Sequence, residues 1–214
     1  SKMVEEEQPH VLVVASGAKP IEINVPGIAQ PHVVSAWDVL NEMVPDIGKE
    51  VVIVGGSATG CETALFVANL GALEPESFTF LHYYAAEDVD RIRKLLHSGG
   101  RKIAVIDVLE RMASNVGIST RWSLIKNLRL MGVKLRAKTK LVEITRDAVL
   151  VEAELGKESI PADTVIIAVG SRSVDDLARE VKRGSIEVIT IGDAKEPRKI
   201  TDAIREGFDG ALKT

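Results

Sequence analysis

Val51-Val52-Ile53-Val54-Gly55-Gly56-Ser57-Ala58-Thr59-Gly60-Cys61-Glu62-Thr63 is the stretch whose reading decides the fold. Residues 51–54 are a strand-like apolar run. A glycine turn follows, and then a helix-forming segment from Ala58 to Leu70. This is the strand–glycine–helix order of a dinucleotide-binding βαβ unit. Each small residue has a physical task. Gly55 permits a tight turn, Gly56 and Ser57 let the backbone approach a pyrophosphate, and Gly60 lets the helix pack close to the strand. The helix N-terminus then aims free N–H groups and a partial positive charge at the phosphates. Ser57 stands where the usual G-x-G-x-x-G pattern has its middle glycine. Serine is small, and its hydroxyl is a further donor. An ordinary glycine-rich turn would share these residues, and the strand before and helix after favour the nucleotide reading.

The rest of the chain sets the limits. At 214 residues, 45% hydrophobic and 27% charged, it has the composition of a globular protein of one or two domains. A net charge of −4 gives no basic footprint for nucleic acid. Its apolar runs are too short to span a bilayer, and the polar, acidic start Ser1–Gln8 is unlike a signal peptide. A cytoplasmic setting is expected. Cys61 is the single cysteine, so an internal disulfide, a C-x-x-C pair or an iron–sulfur site cannot be built from these residues. The four histidines, His10, His32, His82 and His97, lack metal-ligand spacing, and neither Ser-His-Asp nor Tyr-x-x-x-Lys occurs.

Three pieces are expected. His10–Ser16 (HVLVVAS) reads as a buried strand, followed by a Pro/Gly-rich crossing and a short helix with Ser35 as N-cap and Asp38 three residues on. The second piece starts near Lys49. After its first helix comes an unusual stretch, 72–100, with the aromatic run Phe78–Tyr84. Lys102–Val108 reads as the second parallel strand, and Ser119–Met131 as a helix with Gly132 at C′. Leu141–Thr145 and Val149–Ala153 alternate as antiparallel strands, and Thr164–Val169 is again a buried strand. In the third piece, strand Ile186–Ile191 ends at Gly192-Asp193, and a helix spans about 201–213.

The order ASGAKP, VPGI, SAWDVL, VVIVGGSATGCETA, IAVGSR, TIGDAKEPRKITDAIREG resembles the C-terminal flavoprotein module of old-yellow-enzyme-type NADH:flavin oxidoreductases, the 2,4-dienoyl-CoA reductase and 2-enoate reductase family. The resemblance covers nearly the whole chain. It implies a Rossmann-like α/β fold: a parallel sheet with helices on both faces and an antiparallel meander, flanked by partial FAD-domain segments. Residues 1–48 and 171–214 would be those segments, and 49–170 the NAD(P) domain inserted between them. No G-x-G-x-x-G precedes residue 10. The expectation is therefore an excised fragment, with the remaining FAD, FMN-barrel and iron–sulfur segments as missing partners.

The resemblance also implies residue roles. Gly55, Gly56, Ser57 and Gly60 would hold the NAD pyrophosphate. Asp107, at the end of the second strand, would accept hydrogen bonds from the adenosine ribose and repel a 2′-phosphate, favouring NADH. It lies much farther from the turn than the usual ~20 residues, which the 72–100 insertion accounts for. The competing reading is a solvated strand-end carboxylate, and Arg111 nearby could instead serve a 2′-phosphate. Glu62 would help seat the nicotinamide, or simply complement the helix dipole. Gly170 would border the nicotinamide, while Gly17, Gly192 and Asp193 would face FAD.

Three functions are compatible with this fold. One is a module passing hydride from NADH to flavin, for reduction of an unsaturated acyl-CoA or enoate. Another is a non-catalytic nucleotide-binding or interaction module. The third, a disulfide reductase, conflicts with the single cysteine. Unpaired strands in the flanking segments would favour a homodimer.

Overall fold

The computed structural model describes residues 2–181 and 186–213; Ser1 of the polar start lies outside the described residues. In chain order the elements are α1 (Lys2–Glu7), β1 (Val11–Val14), β2 (Ala18–Pro20), β3 (Val33–Ser35), α2 (Ala36–Leu40), β4 (Glu50–Val54), α3 (Ala58–Asn69), α4 (Pro75–Tyr83), α5 (Val89–Leu96) and β5 (Lys102–Ile106). There follow α6 (Ile118–Leu130), β6 (Lys134–Arg136), β7 (Lys140–Ile144), β8 (Ala148–Ala153), β9 (Gly156–Pro161), β10 (Thr164–Ile167), β11 (Ser171–Ser173), α7 (Asp176–Val181), β12 (Glu187–Thr190), a 3₁₀ turn (Gly192–Ala194) and α8 (Ile200–Ala211). These elements fall into two units: residues 22–170, and residues 1–21 with 171–214.

The larger unit is built on a parallel sheet in the order β3-β10-β4-β5-β6. Alternation along β4 assigns its two faces. Val51 and Ile53 pack with α2, α3 and α6 through Val39, Ala64, Val67, Leu124 and Leu128. Val52 and Val54 point the other way, onto Leu141, Ile144, Val149 and Val151. Those four belong to the antiparallel meander β7-β8-β9. The expected helices on both faces are therefore corrected: helices cover one face, and the meander covers the other. Its apolar alternation makes a half-buried sheet able to cap a second one.

The larger unit begins at Glu22, so it takes in the segment 22–48. The sequence marked 22–48 as a Pro/Gly-rich crossing followed by a short helix. In the structure β3 pairs with β10, Val33 opposite Val165, and Ile23, Val25 and Ile28 pack on the meander-side core. The short helix α2 is capped as read: Asp38 N–H donates to Ser35 Oγ at 3.0 Å. The 72–100 insertion forms α4 and α5, with Pro75 in the first turn of α4 and Asp88 capping α5.

In the smaller unit β1 pairs in parallel with β12, and β2 with β11 in antiparallel fashion. Val14, Ala178 and Ala194 form its small core.

Candidate functional site

The glycine turn leaves the C-terminal end of β4, a central strand. Gly55 N–H donates to Ile106 O at 2.9 Å, and Ala168 N–H donates to Val54 O at 2.7 Å. The neighbouring strands β5 and β10 thus hold the turn on both sides. Gly55 has φ +110°, and a Cβ there would lie 2.3 Å from Ala168 O. Gly60 is tighter: its Cβ would lie 1.8 Å from Gly55 O. Both positions exclude a side chain, which is the close helix–strand approach that a dinucleotide turn requires.

β4 lies between β5, the next strand of the sheet in sequence, and β10, which follows much later. The crevice at their carboxyl ends is therefore a topological switch point, where open α/β sheets bind ligands. A cavity of about 440 Å³ opens there. Gly55, Ser57, Asp107 and Gly170 all line it, so four of the expected NAD residues converge. Lys140 lines it as well.

The remaining expected NAD residues lie elsewhere. Gly56 sits behind the turn, with Met112 Sδ filling the space its Cβ would take. Gly60 is buried under Gly55. Glu62 is exposed on α3 and does not line the cavity.

Asp107 does more than end a strand. Its Oδ2 accepts from Gly56 N–H, and its Oδ1 accepts from Leu109 N–H at 2.8 Å. The carboxylate therefore fixes the glycine turn while facing the cavity. The loop beyond it adds two ties that the sequence did not reveal. Ala113 N–H donates to Gly56 O at 2.6 Å, and Ala58 N–H donates to Asn115 Oδ1 at 2.9 Å. No spacing rule points to an asparagine there, because the loop's path is set by tertiary packing. Arg111, on the same loop, is exposed.

Cys61 is fully buried beneath the turn, and its thiol donates to Gly56 O at 3.5 Å. Burial pushes this thiol up to about 11, so it stays protonated at neutral pH. It lacks the thiolate character of a redox cysteine.

In the smaller unit Gly17 follows β1 with φ +79°, and Gly192 follows β12 with φ +59°. Gly192 N–H donates to Glu206 Oε2 at 2.8 Å, and exposed Asp193 accepts from Arg198 N–H at 3.3 Å. Arg198 and Lys195 also donate to Glu206, holding its carboxyl near pH 2, well below the usual range.

Residues 3–195 match the pyridine nucleotide-disulphide oxidoreductase family. A metal reductase of Desulforamulus reducens is 39% identical over 211 residues, which cover 98% of this chain and 31% of that protein. An NADH oxidase of Thermoanaerobacter brockii is 27% identical, across 95% of this chain and 28% of that protein. Among solved structures, a complex of 2-naphthoyl-CoA reductase with 2-naphthoyl-CoA superposes with a TM-score of 0.79 at 26% identity, covering 100% of this chain and 28% of the other. The chain thus spans under a third of the length of each of these relatives. With the turn, the sheet order and these matches in agreement, the chain belongs to the pyridine nucleotide-disulphide oxidoreductase family.

Proposed function

We propose that residues 22–170 bind NADH and present it to a flavin. FAD and NAD(P)H are the cofactors of this oxidoreductase family. The observation that carries the reading is the convergence of Gly55, Ser57, Asp107 and Gly170 on one cavity at the switch point. The fit to a nucleotide rests on the two positions where a Cβ would strike backbone, Gly55 and Gly60.

Bound NADH would supply a hydride from its nicotinamide ring. The protein's part is to bind, orient and shield. Amides of the first turn of α3 beyond Ala58, whose N–H is held by Asn115, would hold the pyrophosphate, helped by the helix dipole and the Ser57 hydroxyl. The Asp107 carboxylate has two acceptor directions taken by backbone amides and others left for ribose hydroxyls. Its charge disfavours a 2′-phosphate, which selects NADH. Gly170 leaves room for the nicotinamide. Glu62 plays at most an indirect part, through the dipole of α3. Hydride transfer between cofactors needs no protein acid or base, in keeping with the lack of a catalytic constellation in the sequence.

For FAD, the smaller unit offers Asp193 for the ribityl chain and the turns at Gly17 and Gly192. Its described residues make no phosphate cradle. The rest of the flavin site would come from segments that the longer relatives carry. The same segments would bring the acceptor, an unsaturated acyl-CoA or enoate, a reading supported by the 2-naphthoyl-CoA reductase likeness. A module that binds NADH without turnover is the second reading, favoured by this partial FAD site.

The test is an NADH titration followed by amide NMR. Resonances of Gly55, Ser57 and Gly170 should shift together. Shifts confined to other residues would overturn the assignment.

A further inference from the structure

The glycine turn is held from outside its own strand and helix. Three hydrogen bonds from residues 107–115 cross to residues 56–58: Gly56 N–H to Asp107, Ala113 N–H to Gly56 O, and Ala58 N–H to Asn115 Oδ1. The third has a particular consequence. Ala58 opens α3, so its amide has no partner within the helix. Ser57, the residue before it, makes no side-chain cap. A side chain from another loop therefore takes that place.

The loop delivering Asn115 is fixed by packing. Ala113 is fully buried and adopts φ +50°, an uncommon conformation for a residue with a side chain. Met112 is also buried, with its sulfur against Gly56. Asn115 itself is exposed at the mouth of the turn.

We infer that Asn115 is a positioning residue for the dinucleotide pyrophosphate, an inference that rests on the NADH reading above. Its carboxamide oxygen aims the first turn of α3. With that oxygen engaged at Ala58 N–H, the amide NH₂ of the same group remains a neutral donor at the first turn of α3. Neutrality is essential. An aspartate would cap the helix as well as asparagine does, but would set a negative charge against the phosphates.

The experiment compares Asn115→Asp and Asn115→Ala with the parent 214-residue chain, measuring the NADH dissociation constant by fluorescence titration and the melting temperature. The expected order of affinity is parent, then Ala, weaker by about threefold, then Asp, weaker by about thirtyfold or more. The Asp variant should melt no lower than the parent, because a carboxylate complements the helix N-terminus. Raised salt should narrow its deficit. A residue acting only as a cap would give the opposite order, with Asp binding like the parent and Ala weakest; that result overturns the inference and leaves the NADH reading standing. A folded parent chain that binds no NADH overturns the NADH reading and this inference with it.

Discussion

The strand–glycine–helix passages at Gly55 and at Gly192 differ in what surrounds them. At β4–Gly55–α3 the helix starts three residues past the glycine, and strands pair on both sides of β4. At β12–Gly192–α8 a 3₁₀ turn intervenes and the helix starts only at Ile200. The Gly192 amide donates to Glu206 of its own following helix, whereas that of Gly55 donates to the neighbouring strand at Ile106. Among the described residues β12 pairs only with β1. The inner face of α8 is small, with Gly207 and Gly210 lying on Ile189 and Ile191. Its outer face carries Ile200, Ile204, Phe208 and Leu212, each 66–77% exposed. The same punctuation thus opens on a cavity in one unit and on an exposed apolar helix face in the other. What decides is the sheet on either side and the distance from glycine to helix.

The largest effect should come from the close approach in the first passage. Gly60→Val forces a branched side chain into the Gly55 carbonyl, 1.8 Å from where its Cβ would sit, and costs about 3 kcal/mol of stability or more. NADH binding should be abolished. If a folded variant, checked by circular dichroism, binds like the parent, the pyrophosphate is held elsewhere. Ser57→Gly, which restores the usual pattern, should bind at least as well as the parent.

Asp107→Ala should act next. It removes the ribose acceptor and frees the Gly56 amide, weakening NADH by about tenfold and narrowing its advantage over NADPH. Paired titrations with the two nucleotides read this directly, and an unchanged ratio would return Asp107 to a purely structural role.

The second passage predicts association. The edges of β1 and β12 that no strand pairs among the described residues, with the apolar face of α8, should join two copies of the chain, which should carry no flavin. Phe208→Glu should shift the light-scattering mass toward the monomer. A parent that is strictly monomeric at high concentration contradicts this, as does a yellow one for the missing flavin.

The smallest effect is electrostatic. Glu206 is held near pH 2 in the folded chain by Arg198 and Lys195, below its ordinary value of 4.5. Its contribution is therefore complete above pH 4.5 and lost as pH falls toward 2. Glu206→Gln should flatten the decline in melting temperature across that window. Parallel profiles for the two proteins would remove the residue from the account.

Much of the larger unit was legible in the sequence. Residues 51–54, 103–106 and 165–167 are continuous apolar runs, the pattern of strands buried on both faces of a parallel sheet. The meander's first two strands showed by alternation. Its third, β9, did not, because Gly156–Pro161 is almost wholly exposed and owes its strand to pairing with β8. Helix α4 was hidden for a related reason: it buries no residue, so no periodic apolar face marks it. Of the candidate site, Asp107 stood out only through the family resemblance, and the glycine turn could be read from local pattern. Asn115, Met112 and Ala113 could not, since they reach the turn through a loop whose course is set by packing. Glu62 lies exposed on α3 and does not line the cavity, because position in a motif does not fix which way a helical side chain faces.

The central claim is that the crevice beside Gly55 and Asp107 is an NADH seat. Calorimetric titration of the 214-residue chain with NADH and with NADPH tests it most directly. The account predicts saturable one-site binding of NADH, tighter than that of NADPH. A folded chain that binds neither, or that binds NADPH more tightly, would contradict it.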